Sequence, residues 1–286
     1  MFFVVSFRAF RGPNVPALEV TVDDTLTLAA IQARLTTCVL GRNLELYDET
    51  DSTNIRAVAL ARAGAPEGTL VLAEEQSAGR GRLGRRWHAP KGSSLLMSLL
   101  LRPPLLPRQA QRATMICSLA AIQAIARVSD LKAQVKWPND VVLGGKKVGG
   151  ILTELGKHGE QLDYVVVGLG LNVNLDVSDL PDLMAPATSI SAEAGRPVSR
   201  LELLLALLEG IEARYERVLA GWSPHEEWRE HLATLGQVVR VGTAEEVIEG
   251  LAEDVDADGA LLVRTRDGAL RSVLVGDVTL RGHRIS

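Results

Sequence analysis

Short, mostly apolar runs bounded by turn residues recur through the middle of the chain, a pattern that is typical of β-strands. Strand-like runs are predicted at 44–47, 69–73, 94–101, 135–143 and 162–167. Gly144-Gly145 is a two-residue hairpin turn, and the returning strand carries Gly149 and Gly150, which indicate a bulge or a close ligand approach. Because short turns join the later strands, we expect an antiparallel meander rather than the crossovers of a doubly wound sheet.

Apolar residues also recur at helical spacing in longer segments, near 28–36, 52–63, 107–128 and 200–220. Ser199 and Glu202 form a capping box at the start of the last of these helices. A second capping box, Ser223 with Glu226, predicts one more helix, which ends near 235.

The final segment, 236–286, consists of short β-patterned runs between Asp/Gly turns, which indicates a small antiparallel barrel. We therefore predict a mixed α/β (α+β) fold divided into an N-terminal extension (1–46), a main domain (47–235) and this barrel. The extension contains a strand over 2–7 and one helix, and its charges sum to zero. A winged helix-turn-helix needs about three helices and a basic face, so we expect no nucleic-acid partner.

Composition indicates a globular protein with a sizeable core, since 47% of the residues are hydrophobic and the net charge is −4. Cys38 and Cys117 stand far apart and form neither a disulfide framework nor a zinc spacing. No apolar run approaches the ~18 residues of a membrane span, and the run at 2–7 is too short for a signal peptide. We expect a soluble, cytoplasmic protein with no membrane partner.

The most unusual stretch, 74–90, reads E-E-Q-S-A-G-R-G-R-L-G-R-R-W-H-A-P. Its arginines and glycines are Arg80, Arg82, Arg85, Arg86, Gly79, Gly81 and Gly84. Glycine lets the backbone approach a ligand closely, and arginine supplies a fixed cationic fork that fits carboxylate or phosphate. The stretch is therefore predicted to bind an anion.

Two other interpretations of this stretch fit the sequence less well. The glycine spacing satisfies G-x-G-x-x-G, but Pro90 and Gly92 break the helix that a dinucleotide fingerprint requires, and the acidic residue about 20 positions later is missing. The second interpretation is an RNA-binding segment rich in arginine and glycine. The run is short and lies between two apolar stretches, which favours an ordered loop on a folded domain.

Taken together, the motifs resemble the biotin protein ligase family, in the form without an N-terminal DNA-binding domain. The matching blocks are S-T-N (52–54), E-Q-S-A-G-R-G-R-L-G-R-R-W (75–87), K-W-P-N-D-V (136–141), K-V-G-G-I-L-T-E (147–154) and V-G-L-G-L-N-V (167–173). The resemblance implies a catalytic domain of the biotin/lipoyl transferase fold, followed by a barrel of the Src-homology-3 type. It implies that biotin and MgATP form biotinyl-5′-AMP, whose acyl group passes to a lysine of a biotin carboxyl carrier protein.

The resemblance also implies roles for individual residues. Catalysis would fall to Lys147, Arg82 and Asp140, with Lys147 bridging the biotin carboxylate and the α-phosphate, and with Asp140 orienting Lys147 or helping to deprotonate the acceptor amine. Biotin would be bound by Ser52, Thr53, Asn54, Gln76, Arg80, Gly81, Arg82, Lys147 and Gly150. ATP would be bound by Arg80, Arg82, Arg85, Trp87, Asn139, Lys147 and Asn172. The protein itself would supply no metal ligand, because magnesium would arrive on the ATP phosphates.

Alternatives remain open at this point. Helix capping alone explains Ser52, Thr53 and Asn54. A lipoate or octanoate ligase shares the fold, although the polar set at 52–54 and 76 favours a ureido ring over an apolar acid. A thiol-dependent transferase needs a reactive cysteine, and Cys117 lies in an apolar helix. A biotin-sensing repressor is the remaining candidate, and exposed strand edges would allow a homodimer.

Overall fold

A computed structural model describes residues 24–179, 186–243, 246–274 and 276–280, and the predicted strand at 2–7 lies outside these ranges. The helices are α1 Leu28–Arg34, α2 Thr53–Arg62, α3 Gln111–Ser129, α4 Ile190–Ala194, α5 Arg200–Leu219 and α6 His225–Glu230. The strands are β1 Leu44–Thr50, β2 Leu70–Gln76, β3 Ser94–Leu101, β4 Gln134–Lys136, β5 Asp140–Leu143, β6 Lys146–His158, β7 Gln161–Asn172, β8 Val238–Gly242, β9 Val247–Val255, β10 Leu261–Thr265, β11 Leu270–Val273 and β12 Asp277–Leu280. None of the helices in the described ranges has the length and apolarity to cross a bilayer.

The larger sheet has seven strands in the order β1-β2-β3-β7-β6-β5-β4. Strands β1 and β2 are parallel, and the remaining neighbours in this sheet are antiparallel. The smaller sheet has five strands in the order β11-β10-β9-β8-β12, all paired in antiparallel fashion. The predicted fold class, a mixed and largely antiparallel sheet with a small C-terminal β-domain, is confirmed.

The two faces of the large sheet are covered unequally. Helices α3 and α5 bury one face in the main core, which includes Val165, Val167 and Leu169 of β7. On the opposite face, α2 packs a smaller apolar cluster that includes Val166. Because strand side chains alternate, Gly168 and Gly170 continue the row of Val166 on this second face and leave it without side chains there. That bare area is where the candidate site lies.

The hairpin between β5 and β6 has the geometry expected from the sequence. Gly144 and Gly145 both have positive φ, 55° and 77°, which a two-residue turn of this kind requires. The register shifts between Val141 and Val142, because Val141 pairs with Gly149 and Val142 pairs with Lys147. The predicted bulge is therefore present, and it sets the direction in which Lys147 leaves the strand.

Of the two predicted capping boxes, the first is present only as its N-cap half, because the Glu202 carboxylate bonds to Arg34, and the second is absent. The Ser199 side chain accepts from the amide of Glu202 at the start of α5. In contrast, α6 has Pro224 as its N-cap with no side-chain capping bond, and it ends at Glu230 rather than near 235. The chain leaves the helix there because His231 and Ala233 form backbone hydrogen bonds with Val135 in β4.

The described part of the N-terminal segment packs into the main core through Leu26, Ile31, Leu35 and Leu40. The Glu212 carboxylate on α5 accepts from three consecutive backbone amides, those of Cys38, Val39 and Leu40, at 2.7, 2.8 and 2.9 Å. These contacts hold residues 24–46 against α5, while the predicted division at 46 stays a prediction.

Two carboxylates of α5, Glu202 and Glu209, make contacts that are predicted to be acid-sensitive. Hydrogen bonds from Arg34 to Glu202 and from Thr36 and Arg127 to Glu209 lower the pKa of both carboxyls below the ordinary value of 4.5. Lowered folded-state pKa values stabilise the protein above pH 4.5, and this contribution is lost as the pH falls below it.

We therefore expect the double substitution Glu202→Gln and Glu209→Gln to lower the free energy of unfolding at pH 7 and to lower it less at about pH 3. Urea titrations at both pH values measure this, with the exposed Glu216→Gln on the same helix as the control. An equal loss at both pH values would contradict the assignment.

The small sheet is joined to the large one by direct hydrogen bonds. Trp137 Nε1, at the bend before β5, donates to the carbonyl of Gly259 at 2.9 Å. Gly259 has a φ of 87°, and a Cβ built on it would meet Met115 and Gln111 of α3 within 2.8 Å. Glycine at this position therefore allows the β9–β10 turn to approach α3 closely.

Candidate active site

The floor of the candidate site consists of three glycines on the bare face of the large sheet. Gly150 on β6 pairs with Gly170 on β7, and Gly168 lies two residues earlier on the same face. The Trp87 ring lies directly on Gly170, where a built Cβ would come within 2.6 Å of the ring carbons. A Cβ at Gly150 would contact both Trp87 and Lys147 at 3.2–3.3 Å. The floor thus admits an aromatic ring and a lysine only because it lacks side chains.

Lys147 is the cation nearest to this floor in the contacts that the structure describes. Its Nζ donates to Asp140 Oδ1 at 2.6 Å and lies 5.7 Å from the centre of the Trp87 ring. Its neighbour Lys146 instead pairs with Glu193 at 2.7 Å. Of these two adjacent lysines, Lys147 therefore lies at the floor and Lys146 has a different partner.

The stretch at 79–87 is a short hairpin that folds over the floor. Gly81 N donates to the Arg85 carbonyl at 2.7 Å, and Trp87 N donates to the Gly79 carbonyl at 2.9 Å. At the tip is a 3₁₀ turn, Arg82–Gly84, in which the exposed Leu83 has a φ of 56°. Together with Leu152, residues 78–86 line a cavity of 380 Å³. We call this segment the arginine hairpin.

Two of the arginines are held by specific partners. Arg80 Nη2 donates to Glu154 Oε1 at 2.7 Å. Arg82 donates to Asn139 Oδ1 at 3.1 Å and to the carbonyl of Gly276, which precedes β12, at 3.2 Å. The hairpin is thus anchored to β6 at one end and contacts the small sheet at its tip.

The start of α2 contributes a buried polar cluster at the other end of the floor. Both Thr53 N and Thr53 Oγ1 donate to Gln76 Oε1, at 2.8 and 3.1 Å. The Asn54 amide donates to the Leu152 carbonyl and to Glu154 Oε2, and its Oδ1 accepts from Ser98 Oγ at 2.6 Å. The protein therefore already uses the hydrogen-bonding groups of Asn54.

The alternative that 52–54 is simple helix capping does not match the structure. Ser52 occupies the N-cap position, but its side chain makes no capping bond and is buried. Thr53 and Asn54 bond to other strands rather than to their own helix. Their assignment to the site stays a prediction.

Asn139 and Asn172 lie at the Lys147 end of the floor. Asn139 Nδ2 donates to the Ile151 carbonyl at 2.6 Å. Asn172 Nδ2 donates to the carbonyl of Thr188 at 3.0 Å, and Thr188 N in turn donates to the Lys147 carbonyl. Both amides thus support the backbone around Lys147.

A substitution at Gly168 tests whether the bare floor holds this cluster. An alanine Cβ would lie 1.9 Å from Asn54 Oδ1, so Asn54 must move and lose its bonds to Ser98, Leu152 and Glu154. We expect Gly168→Ala to lower the free energy of unfolding by about 2–4 kcal/mol.

Urea titration measures this, and Gly242→Ala is the matched control, because nothing lies within 4 Å of its built Cβ. Equal stability of the two variants would contradict the packing described here.

Ser98, Glu154, Gly168 and Gly170 were not predicted as site residues. A signal for each was present, since Ser98 is polar within the apolar run of β3 and the two glycines are spaced to share one strand face. Glu154 closes the K-V-G-G-I-L-T-E block. The sequence alone does not show the strand pairing that brings these residues together.

Cys117 is buried on α3, behind the opposite face of the sheet. Burial raises the pKa of this thiol to about 12, so it is not the thiolate that a thiol-dependent transferase requires. In the described ranges, His, Cys, Asp and Glu residues form no group of three that could hold a metal ion.

Comparison with known proteins assigns both parts of the chain. Residues 47–172 match the biotin/lipoate A/B protein ligase family, and residues 234–281 match the biotin protein ligase C-terminal domain. The bifunctional ligase/repressor BirA of Bacillus subtilis is 35% identical over 258 residues, 89% of this chain and 79% of the relative. The biotin–[acetyl-CoA-carboxylase] ligase of Mycobacterium tuberculosis is 33% identical over 252 residues, 83% of this chain and 88% of the relative.

Among solved structures, the biotin protein ligase from Aquifex aeolicus in complex with biotin and ATP has a TM-score of 0.70 at 30% identity. The match covers 84% of this chain and 99% of that chain. The sequence, the family matches and the fold thus agree.

Proposed function

Because the chain belongs to the biotin protein ligase family, we propose that it joins biotin to a lysine of a biotin carboxyl carrier protein. In the first step the biotin carboxylate attacks the α-phosphate of MgATP, giving biotinyl-5′-AMP and pyrophosphate. In the second step the carrier amine displaces AMP and forms an amide. The observation that carries this proposal is Lys147, held by Asp140 beside Trp87 on the glycine floor.

Lys147 has the role of compensating the two anions that meet in the first step. Its ammonium would lie between the biotin carboxylate and the α-phosphate, and its bond to Asp140 keeps it pointed at that place. Since Asp140 already holds Lys147, we assign it to orientation rather than to deprotonation of the carrier lysine. No protein nucleophile is needed.

The nucleotide would occupy the end of the floor beneath the arginine hairpin. Trp87 would cover it, while Arg82 and Arg85 would approach the phosphates and Arg80 would anchor the hairpin. Asn139 supports this arrangement through Arg82, and Asn172 does so through the segment bound to Lys147. Magnesium would arrive as MgATP.

Biotin would extend from Gly150 towards the start of α2. Ser52, Thr53 and Gln76 would present polar groups to the ureido ring, and Gly81 would present backbone. Asn54 would act by holding Thr53 and β6 in place, because its own amide is already bonded. This polar end favours biotin over lipoate or octanoate, whose chains have no ureido ring.

Opening the hairpin should release the intermediate. We expect Arg82→Gly to make adenylate but to lose it to solvent, because the bonds to Asn139 and Gly276 that hold the tip are removed. Reaction with free amines, measured as biotinylation of bovine serum albumin in the absence of carrier, should rise at least about tenfold. Arg108→Gly, a change at an exposed arginine of the β3–α3 connection, is the control. Albumin labelling at the wild-type level would contradict the role given to the tip.

The names of the relatives support a proposal about the class of acceptor protein. The relative from Mycobacterium tuberculosis is named for acetyl-CoA carboxylase, and we propose a carrier domain of such a carboxylase as the acceptor. We propose neither DNA binding nor a membrane partner, although the Bacillus subtilis relative is named as a repressor as well, and we retain cytoplasmic location and a homodimer as expectations.

Transfer to a carrier tests this function directly. The chain is incubated with biotin, MgATP and a biotin carboxyl carrier domain, and the product is located by peptide mass spectrometry. Biotin on one carrier lysine, and none on a carrier whose lysine is replaced by arginine, is the expected result. Modification of the carrier with lipoate or octanoate instead would show that the chain is a lipoate or octanoate ligase of the same fold.

A further inference from the structure

Glu154 is a carboxylate beside a site that is proposed to bind two anions. This position is unfavourable unless the side chain has a separate role. It lies on the same face of β6 as Gly150, four residues further along the strand. At about 3.3 Å per residue, this places it roughly 13 Å from the Lys147 end of the floor. At that distance it is out of hydrogen-bonding reach of the reacting groups and takes no direct part in compensating their charge.

The two oxygens of Glu154 have different partners. Oε1 accepts from Arg80 Nη2 at 2.7 Å, and Oε2 accepts from Asn54 Nδ2 at 2.8 Å. One carboxylate on a rigid strand therefore joins the base of the arginine hairpin to the polar cluster at the start of α2. The Glu154 side chain is 26% exposed and that of Arg80 is 45% exposed, so solvent screens part of this ion pair.

We propose that Glu154 is a positioning residue that fixes the closed arginine hairpin through Arg80 and couples it to the biotin end of the site through Asn54. This inference rests on the proposed function and adds to it the anchor by which the hairpin retains the adenylate. It also assigns Arg80 to anchoring, since its guanidinium is bound to a carboxylate rather than left for phosphate.

The experiment uses the full chain and three variants: Glu154→Gln, Arg80→Gln and the double variant. Glutamine at 154 still offers an oxygen to Asn54, so α2 keeps its bond while the ion pair to Arg80 is lost. We expect each of the three to release biotinyl-5′-AMP about fivefold faster than the wild type in a chase with unlabelled biotin and ATP, a factor that equals about 1 kcal/mol. The double variant should be no faster than the single ones, because both remove the same bond.

Two further readouts separate positioning from a general loss of structure. In Glu154→Gln, the KM values for biotin and ATP in adenylate formation should stay within about twofold of the wild type, while amide hydrogen exchange over 79–87 should rise in the ligand-free variant. Glu160→Gln, in the exposed turn of the same β6–β7 hairpin, is the matched control and should change neither quantity.

Unchanged adenylate release in Glu154→Gln, or additive effects in the double variant, would overturn the inference. A raised KM for biotin with unchanged adenylate release would overturn it too, because Glu154 would then act only through its bond to Asn54. Absence of biotin-dependent adenylate in the wild type and in Glu160→Gln would instead overturn the proposed function, and hydrogen exchange would still report on the anchor.

Discussion

Replacing Lys147 with alanine is expected to lower the rate of biotin-dependent pyrophosphate exchange by about a thousandfold. Two unit negative charges 4 Å apart repel by about 4 kcal/mol at an effective dielectric constant of 20. That energy corresponds to roughly three decades of rate, and Lys147 is the cation at the end of the floor where we propose that the two anions meet. The variant also leaves the Asp140 carboxylate without its partner, which adds a further negative charge to the site.

Lys146→Ala is the matched control for this prediction. Lys146 is adjacent in sequence, but its ammonium pairs with Glu193, away from the floor. It should retain exchange within about twofold, which surface substitutions ordinarily do. Exchange by the Lys147 variant at the wild-type rate would show that another residue supplies the compensating charge.

The second large effect is expected on stability. The Arg200 guanidinium is almost fully buried and bonds Glu74 and Asp24 at 2.7 and 2.9 Å. Glu74 is on β2, which ends at Gln76 of the site, so this ion network joins α5 to the strand that carries part of the biotin end. Arg200→Leu leaves the buried Glu74 and the partly buried Asp24 without a cation and should cost about 3–5 kcal/mol in the free energy of unfolding.

The pH dependence of this loss has a definite sign. Burial raises the pKa of Asp24, and the attraction of Arg200 opposes that effect only in part. A raised folded-state pKa means that the contribution of Asp24 is greatest at low pH and is lost as the pH rises through that pKa. Removing Arg200 raises the pKa further, so the variant should lose more stability at pH 7 than at pH 4.

Urea titration of Arg200→Leu at both pH values tests this. Arg127→Leu, which removes an exposed pair with Glu209, should cost less than about 1 kcal/mol. A loss of the same size in the two variants would show that the buried network does not stabilise the fold.

Local patterns predicted much of this structure correctly. The Gly144-Gly145 turn, the bulge after Lys147 and the cap at Ser199 each depend on a few neighbouring residues, and all three are present. The end of α6 was predicted wrongly for a different reason. The helix stops where His231 begins to pair with β4, a contact nearly 100 residues away in sequence.

The same distinction applies to the site. Motifs identified Lys147, Arg80 and Asn54, but they could not show what each side chain contacts. Arg80 and Asn54 converge on Glu154, 74 and 100 residues along the chain, and only the strand register brings them together. Sequence spacing within one element is visible in advance, whereas pairing between elements is not.

The central claim, that this site activates biotin with ATP, is tested most directly by exchange of labelled pyrophosphate into ATP, with lipoate and octanoate run beside biotin. We predict exchange with biotin alone, and its loss in the Lys147→Ala variant. Exchange with lipoate or octanoate but not with biotin would contradict the substrate, and no exchange with any of the three acids would contradict the mechanism.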